Sequence, residues 1–276
     1  MKDKKRIPIL DRFAAVLSYL LRLLFPPKCA VCGDLLLKEG ELCPECLALW
    51  ESARREKCPV CQKTARGCTC RTFHMLDTDM IGERRMTALA FYERFGSEKA
   101  RDKAVLRLVY AVKTSDDRAA VRLCARELSA QILRTMMLDG EKPEEWKITY
   151  PPRSSSRKKK YGFDHGRVLS QLISRYTGIE LENTLENTGE RAQKSLNSLE
   201  RMENAESSYR LREGVVPKGK YIIADDIITT GATVNTAAKI LKRGGAEEVY
   251  PVCIARAKKK KRKLRRPSDR PWFKSK

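Results

Sequence analysis

The stretch that most constrains the fold of this chain is residues 220–234, KYIIADDIITTGATV. A short apolar strand ends there in two carboxylates, Asp225 and Asp226, and a small loop then leads into a predicted helix over residues 232–243. An apolar strand followed directly by a helix is typical of the buried parallel sheets of α/β proteins.

The loop after the two carboxylates is suited to a phosphate group. Where a loop opens a helix, backbone N–H groups and the positive end of the helix dipole face outward. Threonine hydroxyls add donors and a glycine lets the backbone come close, so the expected phosphate ligands are Thr229, Thr230, Gly231, Ala232 and Thr233. Because Asp225 and Asp226 can accept from vicinal hydroxyls, the pattern predicts a site for a ribose 5-phosphate group. A plain helix cap after an acidic strand end is the alternative.

Residues 85–257 alternate between strand and helix patterns. The predicted strands are 86–93, 146–152, 220–226 and 248–256, and the predicted helices are 103–113, 117–137, 165–177 and 232–243. Strands that alternate with helices predict an α/β fold with a mainly parallel sheet flanked by helices on both faces.

Eight of the ten cysteines lie close together, in four pairs with spacers of two, two, two and one residues: Cys29, Cys32, Cys43, Cys46, Cys58, Cys61, Cys68 and Cys70. Two such pairs supply the four thiolates of a tetrahedral Zn²⁺ site. Residues 28–72 are therefore predicted to form a small double zinc ribbon with two structural zinc ions, an iron–sulfur cluster or redox pairs being the alternatives. Consecutive pairing closes the shorter loops, while cross-braced pairing stays open.

A site made only of thiolates leaves no coordination position for a substrate, which favours structural over catalytic zinc. Cys124 falls on the apolar face of a predicted helix and Cys253 in a predicted strand, so both are expected to be core thiols. His74, just past the cysteine segment, is an alternative zinc ligand.

The N-terminal segment resembles a signal peptide only superficially. Asp11, Arg12 and Arg22 interrupt its apolar stretch, which leaves too few uncharged residues to span a bilayer. Leucines at three- and four-residue spacing predict an amphipathic helix over residues 8–25 that packs on the protein, and a membrane-surface helix is the alternative. We expect no membrane span and a cytoplasmic protein.

Positive charge dominates the composition. The chain has 57 Lys and Arg against 35 Asp and Glu, and its net charge is +22. Residues 258–276 carry +10 of this charge and are predicted to form a disordered basic tail. A body that stays basic without its tail points to an anionic substrate or to polyanionic partners.

Residues 222–234, IIADDIITTGATV, resemble the signature of the type I phosphoribosyltransferases, which bind phosphoribosyl pyrophosphate (PRPP). A multi-cysteine module before this fold resembles the ComF family, the amidophosphoribosyltransferase-like proteins associated with competence and DNA uptake. Further matches follow in order along the chain, at Tyr92, Lys113, Pro152, Gln193, Leu196, Arg201 and Asn204. The resemblance covers about residues 10–257.

Two stretches depart from the family pattern. Tyr161, Asp164 and His165 stand where the family has Arg, Asn and Gln in Arg-Gly-Phe-Asn-Gln. Ser208-Tyr209 replaces the family's Ala-Phe. The first stretch follows a basic run, so the loop where family members hold pyrophosphate or an acceptor is expected to work differently here.

The resemblance implies a type I phosphoribosyltransferase fold that binds PRPP together with Mg²⁺. Asp225 and Asp226 would hold the ribose hydroxyls or Mg²⁺, and the loop of residues 229–233 would hold the 5-phosphate. Lys113, Arg153 and Arg157 are the candidates for the pyrophosphate side, each with a solvated surface charge as its alternative.

The sequence identifies no acceptor, and several functions stay open. The protein could transfer phosphoribose to an acceptor or hydrolyse PRPP, or it could be a non-catalytic PRPP-sensing module that handles single-stranded DNA beside DNA-uptake or recombination proteins. Five cations within residues 153–160, near Tyr161 and Phe163, favour a nucleic-acid partner. A housekeeping phosphoribosyltransferase unrelated to DNA and a zinc-stabilised scaffold are the further alternatives.

Overall fold

A computed structural model describes residues 24–38, 40–58, 61–68, 86–93, 99–114, 118–188 and 208–257. The predicted helix over 8–25, apart from its last two residues, lies outside the described residues. So do Cys70, His74, the family matches at 193, 196, 201 and 204, and the basic tail.

The elements follow one another in an alternating order. The helices are α1 (Pro44–Arg55), α2 (Ala100–Thr114), α3 (Arg118–Asp139), α4 (Ser155–Tyr161), α5 (His165–Thr177) and α6 (Ala232–Arg243). The strands are β1 (Thr87–Tyr92), β2 (Trp146–Thr149), β3 (Glu180–Leu181), β4 (Leu185–Asn187), β5 (Tyr209–Leu211), β6 (Gly219–Ile228) and β7 (Ala246–Ala257).

A five-stranded parallel sheet forms the centre of the fold, in the order β1-β7-β6-β2-β3. All six residues of β1 are buried, as are the last nine of β7, because helices cover both faces of the sheet. The α/β fold class with a mainly parallel sheet is confirmed.

Two hydrophobic clusters lie on opposite faces of the sheet. One contains residues of α2, α3 and α5 together with Trp50 of α1. The other contains α6 together with Met86 and Cys58. Since Trp50 belongs to the first cluster and Cys58 to the second, the cysteine module contributes to both.

The antiparallel pair β4–β5 packs near α6 and forms a separate two-stranded sheet.

Ion pairs and hydrogen bonds join the cysteine module to the α/β body. Glu127 of α3 accepts from the Trp50 indole at 3.1 Å and pairs with Arg54 at 3.0 Å. Arg256, fully buried near the end of β7, donates to the Cys68 carbonyl at 3.0 Å. These contacts fix the module against α3 and the carboxyl end of β7.

The main helices and strands lie where the hydrophobic periodicity predicts them, and helices 165–177 and 232–243 match residue for residue. Strand β2 ends at Thr149, three residues earlier than predicted, because two prolines follow shortly after it. Strand β6 continues to Ile228, past the two carboxylates. In the described part of the chain, no helix is long and apolar enough to cross a bilayer.

Candidate functional site

The two carboxylates lie at the point where the chain reverses its direction of travel across the sheet. From β2 the chain continues outward to β3, whereas from β6 it continues through α6 to β7 on the other side. Pairing between β6 and β2 ends at Ile223 opposite Thr149. Ligands of open α/β sheets bind in the crevice outside the carboxyl ends of strands at such a switch point. Asp225 and Asp226 therefore border the expected crevice.

Asp226 is almost fully buried, with 2 % of its side chain exposed, and two basic side chains contact its carboxylate. Lys113 Nζ, from the last turn of α2, lies 3.3 Å from Oδ1. His165 Nε2, from the first residue of α5, lies 2.7 Å from Oδ2. Three elements that are distant in sequence thus meet at one carboxylate.

The neighbouring carboxyls have opposite pKa shifts. Burial and the charge of Asp226 raise the pKa of Asp225 to about 8. Burial also acts to raise the pKa of Asp226, but His165 and Lys113 outweigh it and lower that pKa below its ordinary value. The pair therefore offers one charged carboxylate and one that takes up a proton near neutral pH.

The predicted phosphate loop opens α6 without a side-chain cap. Gly231 is the N-cap residue and has a φ of +85°, a left-handed conformation that glycine adopts without strain. The first turn of α6 carries no acidic side chain. Thr230 is exposed, whereas Thr229, Ala232 and Thr233 are half-buried. The loop therefore presents hydroxyls and helix N-terminal N–H groups beside the two carboxylates, as an anion site requires.

Arg153 follows β2 and is held in place from several directions. Its backbone N–H donates to Asp164 Oδ2 at 3.0 Å, and its Nη2 donates to the Lys113 carbonyl at 2.6 Å. The guanidinium lies over the rings of Tyr161 and Phe163, at 4.8 and 5.7 Å from their centroids. Arg153 therefore connects the loop after β2 to Lys113 and, through it, to Asp226.

Two of the three cations predicted for the pyrophosphate side lie near the carboxylates, and the third does not. It brings Lys113 to Asp226 and Arg153 to the backbone of Lys113. Arg157 lies exposed on α4, and within the described ranges no ion pair or hydrogen bond holds its side chain.

Two residues near the carboxylates were not predicted as part of the site. In the sequence His165 is distinguished only as a departure from the family pattern, and its contact with Asp226 depends on where α5 begins. Burial and the charge of Asp225 raise the pKa of Tyr209 to about 12, while a hydrogen bond with Asn187 acts the other way. Tyr209 on β5 is therefore close enough to Asp225 to sense its charge.

The first four cysteines converge as a tetrahedral metal site requires. The sulfur atoms of Cys29, Cys32, Cys43 and Cys46 all lie within 4.8 Å of one another. The Cys32 and Cys43 sulfurs are 3.7 Å apart, close to the roughly 3.8 Å between thiolates of a tetrahedral zinc site with Zn–S bonds of about 2.3 Å. Cys43 also caps α1, because Cys46 N donates to its sulfur. These residues fit Zn²⁺.

Three cysteines form the second cluster. The sulfur atoms of Cys58, Cys61 and Cys68 lie within 4.8 Å of one another. Each cluster is built from pairs that are consecutive in the sequence, as the scheme of consecutive pairing predicts. Cys70 falls outside the described residues. Cys124 and Cys253 are buried core thiols, as predicted.

Family models match two parts of the chain that correspond to these two features. The phosphoribosyl transferase domain matches residues 165–275, and the double zinc ribbon domain matches residues 20–72. Competence protein ComFC of Streptococcus pneumoniae (strain ATCC BAA-255 / R6) is 26 % identical over 242 residues, which cover 83 % of this chain and 100 % of that protein. The chain thus combines a phosphoribosyl transferase domain with a double zinc ribbon, the combination that its resemblance to the ComF family implies.

Other relatives match a smaller share of the chain. Competence protein F of Haemophilus influenzae is 27 % identical over 46 % of the chain and 59 % of its own length. DNA utilization protein YhgH of Escherichia coli (strain K12) is 26 % identical over 54 % of the chain and 66 % of its own length. The chain thus spans less than two thirds of these two relatives.

Solved structures overlap with the chain only partly. The glutamine phosphoribosylpyrophosphate (PRPP) amidotransferase from B. subtilis, complexed with ADP and GMP, gives a TM-score of 0.35 at 16 % identity, over 54 % of this chain and 30 % of that one. The type I phosphoribosyltransferase fold and the structural zinc ribbon are assigned from the family matches, the parallel sheet and the cysteine clusters.

Proposed function

We propose that the crevice at the carboxyl end of β6 binds PRPP with Mg²⁺ in a competence-related process. The observation that carries this proposal is the position of Asp225 and Asp226 at the switch point, directly before the Gly231 loop that opens α6. A carboxylate pair next to a helix N-terminus matches a ligand with vicinal hydroxyls at one end and a phosphate at the other.

Different residues around Asp226 would bind different parts of such a ligand. Residues 229–233 would bind the 5-phosphate, and the carboxylate pair would bind the ribose hydroxyls or share Mg²⁺ with them. Lys113 and Arg153 would face the pyrophosphate, whose charge Mg²⁺ partly neutralises when bound. For hydroxyls to reach Asp226, the contacts with His165 and Lys113 have to loosen or be shared.

One assay distinguishes a protein that transfers phosphoribose from one that only senses PRPP. Full-length protein is incubated with PRPP, Mg²⁺ and a panel of nucleobases and amines, and pyrophosphate release is followed beside direct PRPP binding. Release with one acceptor supports a transferase, and release without an acceptor supports a hydrolase. Binding without release supports a sensor. A protein that neither binds nor consumes millimolar PRPP contradicts the proposal.

A second candidate function is binding of single-stranded DNA, which the exposed face of α4 favours. Residues 155–160 are all exposed, and four of them are Arg157, Lys158, Lys159 and Lys160. Clustered cations track a phosphate backbone, so affinity for an oligonucleotide should fall steeply as salt rises. Removal of the basic tail, residues 258–276, tests how much the tail contributes to the affinity for the oligonucleotide. DNA-uptake or recombination proteins are the partners expected for this function.

We further propose that the cysteine module holds two zinc ions, the second completed by Cys70. The 3.7 Å sulfur spacing in the first cluster and the three converged thiols of the second support this number. We expect the protein in the cytoplasm, where thiols stay reduced and available to zinc.

A further inference from the structure

A cleft of about 920 Å³ lies beside the ribose phosphate crevice but has different walls. It is bordered by the loop after β2, by α4 and α5, and by the β4–β5 pair, and neither the carboxylate pair nor residues 229–233 line it. Its volume falls within the roughly 300–1,000 Å³ typical of small-molecule sites.

Four cations line this cleft: Arg153, Lys158, Arg167 and Arg212. Two carboxylates, Asp164 and Glu186, also line the cleft, and both already have partners. Asp164 accepts from the Arg153 backbone and pairs with Lys158 at 3.3 Å, and Glu186 pairs with Arg210 across the strand pair. Within the part of the chain that the structure describes, Arg167 and Arg212 have no ion-pair partner. The cleft therefore carries two positive charges, those of Arg167 and Arg212, that no carboxylate of the described residues neutralises.

Arg167 and Arg212 line the cleft from two different elements of the fold. Burial and the charge of Asp164 raise the pKa of Tyr150, and both guanidinium groups oppose that shift. Arg167 is in the first turn of α5, while the backbone N–H of Arg212 donates to the Thr184 carbonyl at 2.9 Å beside β4. Both residues are exposed, and two guanidinium groups from separate elements can bind one phosphate together.

Buried polar atoms without partners also belong to the lining. Among the described residues, Arg153 Nη1, Asp164 Oδ1 and Asn183 Oδ1 accept or donate no hydrogen bond. Arg153 is 9 % exposed and Asp164 8 % exposed, so solvent reaches little of either residue. Leaving such a group unpaired costs about 1–3 kcal/mol. Arg153, Asp164 and Asn183 therefore keep unused hydrogen-bonding capacity behind the cleft wall.

We infer that this cleft binds a nucleoside 5′-monophosphate, either free or as the 5′ end of a single strand. The phosphate binds between Arg167 and Arg212. The base offers donors and acceptors to the amides of Asn183 and Gln171, and Phe163 provides an aromatic face. The cleft shares Arg153 with the pyrophosphate side of the proposed PRPP crevice, whereas Arg167 and Arg212 belong to the cleft alone.

The test measures binding by the full-length protein with three probes: free deoxynucleoside monophosphates, a short single strand with a 5′-phosphate, and the same strand without it. We expect Arg167→Gln and Arg212→Gln each to weaken binding of the phosphorylated probes about fivefold or more. Arg175→Gln, the matched control on the other end of α5, should leave binding within about twofold. Preference for the free monophosphate or for the phosphorylated strand identifies the source of the ligand.

Two further measurements keep this site distinct from the PRPP crevice. PRPP binding should be unchanged in Arg167→Gln and Arg212→Gln, and nucleotide binding should persist in Asp225→Asn with Asp226→Asn. The inference is overturned if no monophosphate or phosphorylated strand binds the wild-type protein. It is equally overturned if the 5′-phosphate makes no difference, or if Arg175→Gln weakens binding as much as Arg167→Gln.

Discussion

His165 Nε2 lies 2.7 Å from Asp226 Oδ2, and this contact joins the first residue of α5 to the carboxyl end of β6. The carboxylate is almost fully buried, so the imidazole is among the few groups that reach it. His165 therefore positions Asp226 and helps to keep it charged.

Replacing His165 by Ala should lower the free energy of unfolding by about 1–3 kcal/mol, since it removes a polar partner from a buried carboxylate. His165→Gln should recover part of that loss, because its amide can donate to Asp226. Urea unfolding of the two variants and the wild type, all with zinc present, checks this. Equal stability of His165→Ala and wild type would show that the contact stabilises nothing.

PRPP affinity should rise with pH because Asp225 has to lose its proton before it can serve as a fully charged ligand. Burial and the charge of Asp226 raise the pKa of Asp225 to about 8. The protonated form dominates below that pH and the charged form above it, so affinity should increase about tenfold from about pH 7 to about pH 9 and then level off. Titrations of wild type and Asp225→Asn check this, the variant binding weakly with a flat profile.

Gly231→Ala should weaken PRPP binding about tenfold or more, because the φ of +85° is unfavourable for alanine and the loop has to move. Gly140→Ala is the matched control. Gly140 has a φ of +70° and nothing within 4 Å of an added Cβ, and it lies far along the chain from the loop. Both variants should lose about 1–2 kcal/mol of stability, but only Gly231→Ala should lose binding.

Purified protein should contain about two zinc ions per chain, four thiolates being needed for each. Cys46→Ser should reduce this to about one, because Cys46 belongs to the first cluster only. Cys124→Ser should keep both ions, since Cys124 is a core thiol of α3. Elemental analysis by mass spectrometry gives the count. Two ions retained in Cys46→Ser would contradict the assignment.

The sequence was sufficient for those parts of the fold and site that local patterns determine. The strand before Asp225, the helix after Gly231 and the paired cysteines each carry their own signal within a few residues. The predicted phosphate loop and carboxylate pair lie together for the same reason, being contiguous in the chain.

Contacts between distant elements could not be predicted in this way. His165 reaches Asp226 because α5 starts beside the end of β6, and Tyr209 is held in the β4–β5 pair opposite Asn187. Helix α4 was missed because its basic residues lack an apolar face. Arg157, predicted from the same basic run as Arg153, differs from it because α4 turns it outward to solvent.

The most direct test of the central claim is a calorimetric titration of the full-length protein with PRPP and Mg²⁺. The wild type should bind, and Asp225→Asn with Asp226→Asn should weaken binding about a hundredfold or more while zinc content stays unchanged. Asp139→Asn, an exposed carboxylate at the end of α3, is the control and should bind like the wild type. Wild-type protein that binds no PRPP, or a double variant that binds it equally well, would contradict the claim.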